Sequence, residues 1–324
     1  MEHVKAYLYD SRGKDEEIDI ESADVARLGD QQLLWINITR VDGELLHEAV
    51  EKIGIKGLPR PHGRYDECSP DVERYDEFFR FSVDSVLQKD GGGIESCRVR
   101  FLVGKNYVVI MHDGQLGYFD EFRQREKGES KIGDLGAESF VATLLDVSLV
   151  TYFKAMDDLE KRVDKLDEEV LKKDVDTDKF LERMVALRRE TSNLRRWLMP
   201  QREVYYALAR ADFHQIAQSD SAEQYRTLSQ HFEAAVDAIE HARETVISVF
   251  ELYATKSSHL TNVLVQRLTF FTLVLGSIAV IAGILGMNFK AGIFDLEYGF
   301  WIAVAGLFAV GLGLTIVARF KRWI

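Results

Sequence analysis

A single amide closes a long apolar stretch of this chain. From Leu268 to Phe289 no residue is charged over about 22 positions, and the run ends on Gly286-Met287-Asn288 just before Lys290. Two roles suit Asn288 in that place. It can cap a helix C-terminus, because asparagine tolerates left-handed backbone, or it can turn its amide to the water beyond. Upstream, Thr272, Gly276, Ala279 and Gly283 follow one another at steps of four, three and four, a stripe of small or weakly polar residues on one helical face. Such a stripe leaves room for a water-filled conduit. It is equally the pattern by which membrane helices pack closely with no conduit between them. Leu268 and Val265 continue the face and could form an apolar constriction that gates by dewetting.

Other clusters of reactive residue types are weaker. His62, Asp66, Asp71 and Asp76 match neither an EF-hand nor a hydrolase spacing and read as a solvated loop. The acidic run Asp157, Asp158, Glu160, Asp164, Asp167, Glu168 and Glu169 reads as a solvated helix face. Gly91-Gly92-Gly93 suits a hairpin turn rather than a phosphate-cradling loop, and no nucleophile and base are set together. An enzyme is therefore not expected. Cys68 and Cys97 have no partners at metal-ligand spacing and read as free thiols. His231 and His259 read as ordinary helix-interface residues before zinc ligands.

The elements that must place the amide follow from charge and periodicity. The 324 residues carry a formal net charge of -12, which disfavours nucleic acid as a partner and suits attraction of cations. That charge lies almost wholly before residue 268. Tyr298 to Ala318 forms a second charge-free run, so two transmembrane helices are expected, joined by the short segment Lys290 to Glu297. Lys256 and Arg267 precede the pair and Arg319, Lys321 and Arg322 follow it, against Lys290 alone in the loop. The positive-inside rule then puts both termini in the cytoplasm. The N-terminus has no basic and apolar leader, and the large first part is expected to stay cytoplasmic.

Residues 1–150 read as an α/β domain, with strands at Val4 to Tyr9, Leu33 to Ile38, Phe78 to Leu87, Cys97 to Val103 and Tyr107 to Met111. The last three form an antiparallel meander, and helices run from Asp42 to Ile53 and from Glu138 to Leu149. Residues 151–222 read as an antiparallel helical pair broken at Pro200. From residue 223 to 267 a heptad seam, Leu228, Phe232, Ala235, Ile239, Ala242, Val246, Val249 and Tyr253, with Leu260 and Leu264 beyond, marks a stalk helix. It runs into the first membrane helix at 268–289; a loop at 290–297, a second span at 298–318 and a basic tail at 319–324 complete the chain. A seam of this kind needs partner helices and suggests several copies around an axis. The fold class expected is an α+β membrane protein, with an α/β cytoplasmic domain and a long coiled stalk helix entering the first of two C-terminal spans.

Gly286-Met287-Asn288 at the end of the penultimate membrane helix, the short loop, and the basic tail Arg319 to Trp323 together resemble the CorA superfamily of divalent-cation transporters. "RPHGRYDECSPDVERYDEFFRF" and "SHLTNVLVQRLT" extend the resemblance over essentially the whole chain. It implies a funnel-shaped homopentamer in the membrane, with a ring of five Asn288 amides at the outer mouth and Gly286, Met287 and Asn288 as selectivity filter. The family's pore positions fall on Leu268, Thr272, Gly276, Ala279 and Gly283. Amide carbonyls could accept hydrogen bonds from the water shell of a hydrated metal ion without stripping it.

Departures bear on the ion. Where the CorA branch continues Met-Pro-Glu-Leu, this chain has Lys290 to Glu297, and Lys290 would repel cations at the outer mouth unless Asp295 or Glu297 compensates. Thr227 stands where that branch has a Mg²⁺-sensing aspartate, and Ser277 and Ala279 replace its mid-pore Pro and Thr. "LRRWLMPQREVYYALA", Leu194 to Ala209, resembles the ZntB zinc-transporter branch, whereas Met287 leans to CorA. The expected cargo is Zn²⁺, with Mg²⁺ next, passing hydrated because neither span contains Cys or His. No resident cofactor is expected. A membrane-anchored coiled-coil signalling or scaffold protein is the reading of another class.

Overall fold

The computed structural model describes residues 3–40, 42–58, 72–89, 93–119, 121, 136–172, 176–217, 221–287 and 297–320. The chain divides into two compact units, Met1–Val249 and Phe250–Ile324.

Among the described residues the first unit is built on one sheet of seven strands: β1 (Val4–Asp10), β2 (Glu16–Ile18), β3 (Gln32–Ile38), β4 (Val72–Arg74), β5 (Phe78–Gln88), β6 (Ile94–Gly104) and β7 (Tyr107–Met111). Their order is β2-β1-β3-β7-β6-β5-β4. The expected β5-β6-β7 meander is antiparallel. Among the described strands only the β3–β7 join is parallel, with Leu34 opposite Tyr107 and Ile38 opposite Met111.

Both sheet faces are covered, and the period-2 alternation of strands assigns side chains to each. On one face Leu34, Ile36, Ile38, Val109 and Met111 meet Leu46, Ala49 and Val50 of α1 (Gly43–Lys52). Asp42 starts α1 as expected, its carboxylate accepting from the N–H groups of Glu44 and Leu45. On the other face Trp35 packs against Phe140 of α2 (Ala137–Leu171), ring centroids 5.5 Å apart. The helices read separately at Glu138 to Leu149 and from Tyr152 onward are thus one helix, and residue 150 lies inside it. Its first turns cover the sheet. Its later turns pair with α3 (Thr177–Leu198) antiparallel, tied by Arg162–Glu190 and Arg183–Glu169. Asp157, Asp158, Glu160, Asp164, Asp167 and Glu168 are exposed, as a solvated face requires.

The segment after α3 is a clamp. Met199–Gln201 makes a 3₁₀ turn into α4 (Arg202–Leu208), and Gln201 is fully buried. Its amide nitrogen lies 3.0 Å from the Asp84 carbonyl of β5, 3.0 Å from the Tyr152 hydroxyl and 2.7 Å from the Trp197 carbonyl. Gln201→Ala should leave interior acceptors short of a donor and lower stability by about 1–3 kcal/mol. A thermal melt followed by circular dichroism tests this; an unshifted midpoint would rule the clamp out.

A short α5 (His214–Ala217) precedes α6 (Ala222–Leu285), 64 residues in one helix. The seam expectation is corrected here. Leu228, Phe232, Ala235, Ile239, Ala242, Val246 and Val249 are all buried by this chain's own elements. Phe232 stacks on Tyr205 of α4 at 4.6 Å, and Tyr225 donates to the Glu138 carbonyl of α2. Arg202 and Arg195 reach Glu233 and Glu240 of α6. A heptad period marks a covered face without saying whose helix covers it. Leu260 and Leu264, past this unit, are exposed.

Candidate cation path

The second unit consists of the remainder of α6 and of α7 (Gly299–Phe320). Both are long and apolar enough to cross a membrane. By the same measure α2 is a third, but over half of its apolar window is already buried, much of it against β5, β6 and β7.

The two helices pack as an antiparallel hairpin whose register can be read from its buried residues. Ile278 of α6 faces Gly311 of α7; a Cβ on that glycine would lie 3.4 Å from the Ile278 methyl. Eight residues back from Ile278 lies Phe270, and seven on from Gly311 lies Ala318; both are buried. Val274, Ser277, Ile281 and Leu285 extend this half-covered face of α6, and Leu307 and Leu314 that of α7.

Leu268, Thr272, Gly276, Ala279 and Gly283 are all exposed. At 100° per residue their stripe is centred roughly 170° from the face that meets α7. Nothing lies within 4 Å of a Cβ built on Gly276 or Gly283. The small residues are therefore not what lets α6 and α7 approach. Gly311 does that, a role its place among the scattered glycines of the second span did not reveal. Thr272 donates its hydroxyl proton to the Leu268 carbonyl at 2.9 Å, which leaves the oxygen as an acceptor on the exposed face.

The helix ends where the filter was expected. Gly286 N–H donates to Ala282 O at 2.9 Å and Met287 N–H to Ile284 O at 3.2 Å, turning the chain out of α6. Met287 is exposed. Asn288, Lys290 and Asp295 lie outside the described residues, as do His62, Asp66, Asp71 and Cys68. Glu297, just before α7, is exposed, and so are Tyr298 and Trp301, which suits aromatic rings at a membrane surface.

Within the first unit the other candidates have ordinary settings. His231 pairs with Asp146 of α2 at 2.7 Å. Thr227 is exposed on α6. Cys97 is a buried free thiol, its pKa pushed up to about 11 by burial and by the Asp113 carboxylate, so it remains an unreactive SH. Among the described residues no three of His, Cys, Asp and Glu are grouped to hold a metal.

Comparison with known proteins agrees with this architecture. The cobalt/magnesium transport protein CorA of Thermotoga maritima is 24% identical over 298 residues, covering 90% of this chain and 83% of that one. The complete structure of the CorA magnesium transporter from Methanocaldococcus jannaschii superposes with a TM-score of 0.77 at 19% identity, covering 98% of each chain. The cytoplasmic domain of ZntB from Vibrio parahaemolyticus matches at a TM-score of 0.62 and 13% identity, over 79% of this chain and 98% of that one. The family model for CorA-like Mg²⁺ transporter proteins matches residues 30–322, and the chain belongs to that family of membrane transporters.

Proposed function

We propose that this protein moves hydrated divalent cations across a membrane along an axis shared by several copies, five by resemblance to the family. The observation that carries this is the position of the stripe Leu268, Thr272, Gly276, Ala279 and Gly283. It is exposed and roughly opposite the face that α7 covers, so it is free to line an axis. In this reading α6 and α7 are the two spans and both chain ends face the cytoplasm, as the basic residues on that side require. Asn288 forms the outer ring, with Gly286 and Met287 turning the chain so that the amide meets the ion's water shell.

Mg²⁺ is the cargo this reading favours. The family model and the Thermotoga relative carry magnesium in their names. Neither span offers the nitrogen or sulfur ligands that Zn²⁺ prefers, while an oxygen-lined path suits an ion that keeps its waters. Zn²⁺ is the second reading, supported by the segment Leu194 to Ala209. Structurally that segment serves as the Gln201 clamp, far along the sequence from the stripe.

The test is flux into proteoliposomes, comparing Mg²⁺ with Zn²⁺ with and without a pH gradient. Asn288→Ala should lower flux about tenfold or more, because every copy loses an acceptor worth about 1 kcal/mol. Unaltered flux in that variant would remove the filter assignment. No flux of either ion from the wild type would instead favour the anchored scaffold.

A further inference from the structure

The core between β5, α2 and α4 holds a chain of polar groups that transport does not use. Ser85 Oγ lies 2.7 Å from Ser148 Oγ and 3.0 Å from the Tyr118 hydroxyl. Tyr152 donates to the Asp84 carbonyl at 2.8 Å, and the Gln201 amide nitrogen lies 3.0 Å from the same carbonyl. Ser85, Ser148, Tyr152, Gln201 and Tyr205 are each at most 1% exposed.

Two atoms of this chain have no hydrogen-bond partner among the described residues, Gln201 Oε1 and the Tyr205 hydroxyl. Turning the amide round gives no relief. The Gln201 end that faces the Asp84 and Trp197 carbonyls must be the NH₂, because a carbonyl offers no proton to an oxygen, and Oε1 is the end left over. Burial, with the Tyr118 hydroxyl and the Asp146 carboxylate nearby, pushes the Tyr205 pKa far up, so the phenol keeps a proton to donate. Residues 201 and 205 are four apart on successive helical turns and share a face. Both adjoin Tyr152: Gln201 by its 3.0 Å contact, and Tyr205 as one of the groups that, after burial and Asp84, raise the Tyr152 pKa. A buried acceptor and a buried donor left open on one face call for a group that is both.

The carboxylates nearby are already engaged, Asp84 by Arg98 at 2.9 Å and Asp146 by His231 at 2.7 Å, so neither invites a cation. The rest of the chain is hydroxyls, amide and carbonyls. Water donates and accepts at once without bringing charge, and buried waters occur where interior polar groups otherwise lack partners.

We propose that a water molecule is bound in this core, donating to Gln201 Oε1 and accepting from the Tyr205 hydroxyl. Tyr205 also stacks on Phe232 of α6 at 4.6 Å, so this water completes the polar contact between the sheet, the Gln201 clamp and the turn that holds α6. The test is X-ray radiolytic footprinting of the full-length protein in detergent, in which hydroxyl radicals made from water modify the side chains that water touches. Tyr205 is expected to be labelled although it is only 1% exposed. Tyr225, equally buried but with its hydroxyl bonded to the Glu138 carbonyl at 2.9 Å, should stay unlabelled, and the exposed Tyr206 reports open surface. Tyr205→Phe keeps the ring and removes the hydroxyl, and should lose the labelling at that position while Tyr206 is modified as before. The wild-type comparison of Tyr205 with Tyr225 decides the matter even if that variant fails to fold. Tyr205 as silent as Tyr225 would overturn the assignment. So would equal labelling of both, or labelling that survives in a folded Tyr205→Phe, since either would mean that solvent enters by local opening.

Discussion

Gly283→Leu is expected to stop divalent-cation flux completely while leaving the protein folded. Gly283 is exposed on α6 with nothing within 4 Å of a Cβ, so within one chain a larger side chain meets no obstacle. If copies surround an axis, the same change puts one leucine per copy into the conduit at a single level, where apolar bulk excludes water and ion together. Gly311→Leu is the contrasting variant. A Cβ there already meets Ile278 at 3.4 Å, so the longer side chain forces α6 and α7 apart, an overpacking that costs about 1–3 kcal/mol. Flux and thermal unfolding, measured on both variants in the same lipid, separate the two roles. Wild-type flux through Gly283→Leu would show that the stripe does not face the path.

In the first unit the largest loss of stability should come from Trp35→Ala. Trp35 is fully buried at the middle of β3, with ring centroids 5.3 Å from Tyr7, 5.6 Å from Phe119 and 5.5 Å from Phe140. Removing it opens a void between sheet and α2, a loss of about 3–5 kcal/mol. Its indole N–H has no partner among the described residues, so Trp35→Phe gives up packing alone. That variant should stay within about 1.5 kcal/mol of wild type. Urea unfolding followed by circular dichroism compares the two; equal midpoints would show that ring volume at this position is not what holds α2 to the sheet.

The strands with their own apolar runs were legible in the sequence. Phe78 to Leu87, Cys97 to Val103 and Tyr107 to Met111 are β5, β6 and β7 to within a few residues, and Asp42 announces α1. The edge strands β2 and β4 were not. Glu16–Ile18 and Val72–Arg74 have three residues each, are joined to the sheet by backbone pairing, and show no alternation to read. The change to a heavily charged helical pattern after about residue 150 suggested a new element. It marks instead where α2 leaves the sheet, whose apolar surface had required apolar residues, and reaches α3, where one stripe suffices.

The stripe from Leu268 to Gly283 was visible as spacing, but spacing could not distinguish a conduit from a packing face. That needed the hairpin register, which rests on Ile278 meeting Gly311 across two segments with no charge or cap to align them. Gln201 shows the opposite case. The motif around it was conspicuous as a family resemblance, while its physical role depended on Asp84 and Tyr152, both remote in sequence.

The parallel β3–β7 join carries a consequence for biosynthesis. β1, β2 and β3 can pair as soon as they leave the ribosome, but the β7 strand that completes the far side of β3 is made about seventy residues later. Until then β3 presents Leu34, Trp35 and Ile36 along an open margin, the kind of template on which nascent chains associate with one another. Closure of that margin is a long-range event and should be the slow step of maturation, so the nascent chain is most in need of a chaperone between the emergence of β3 and that of β7.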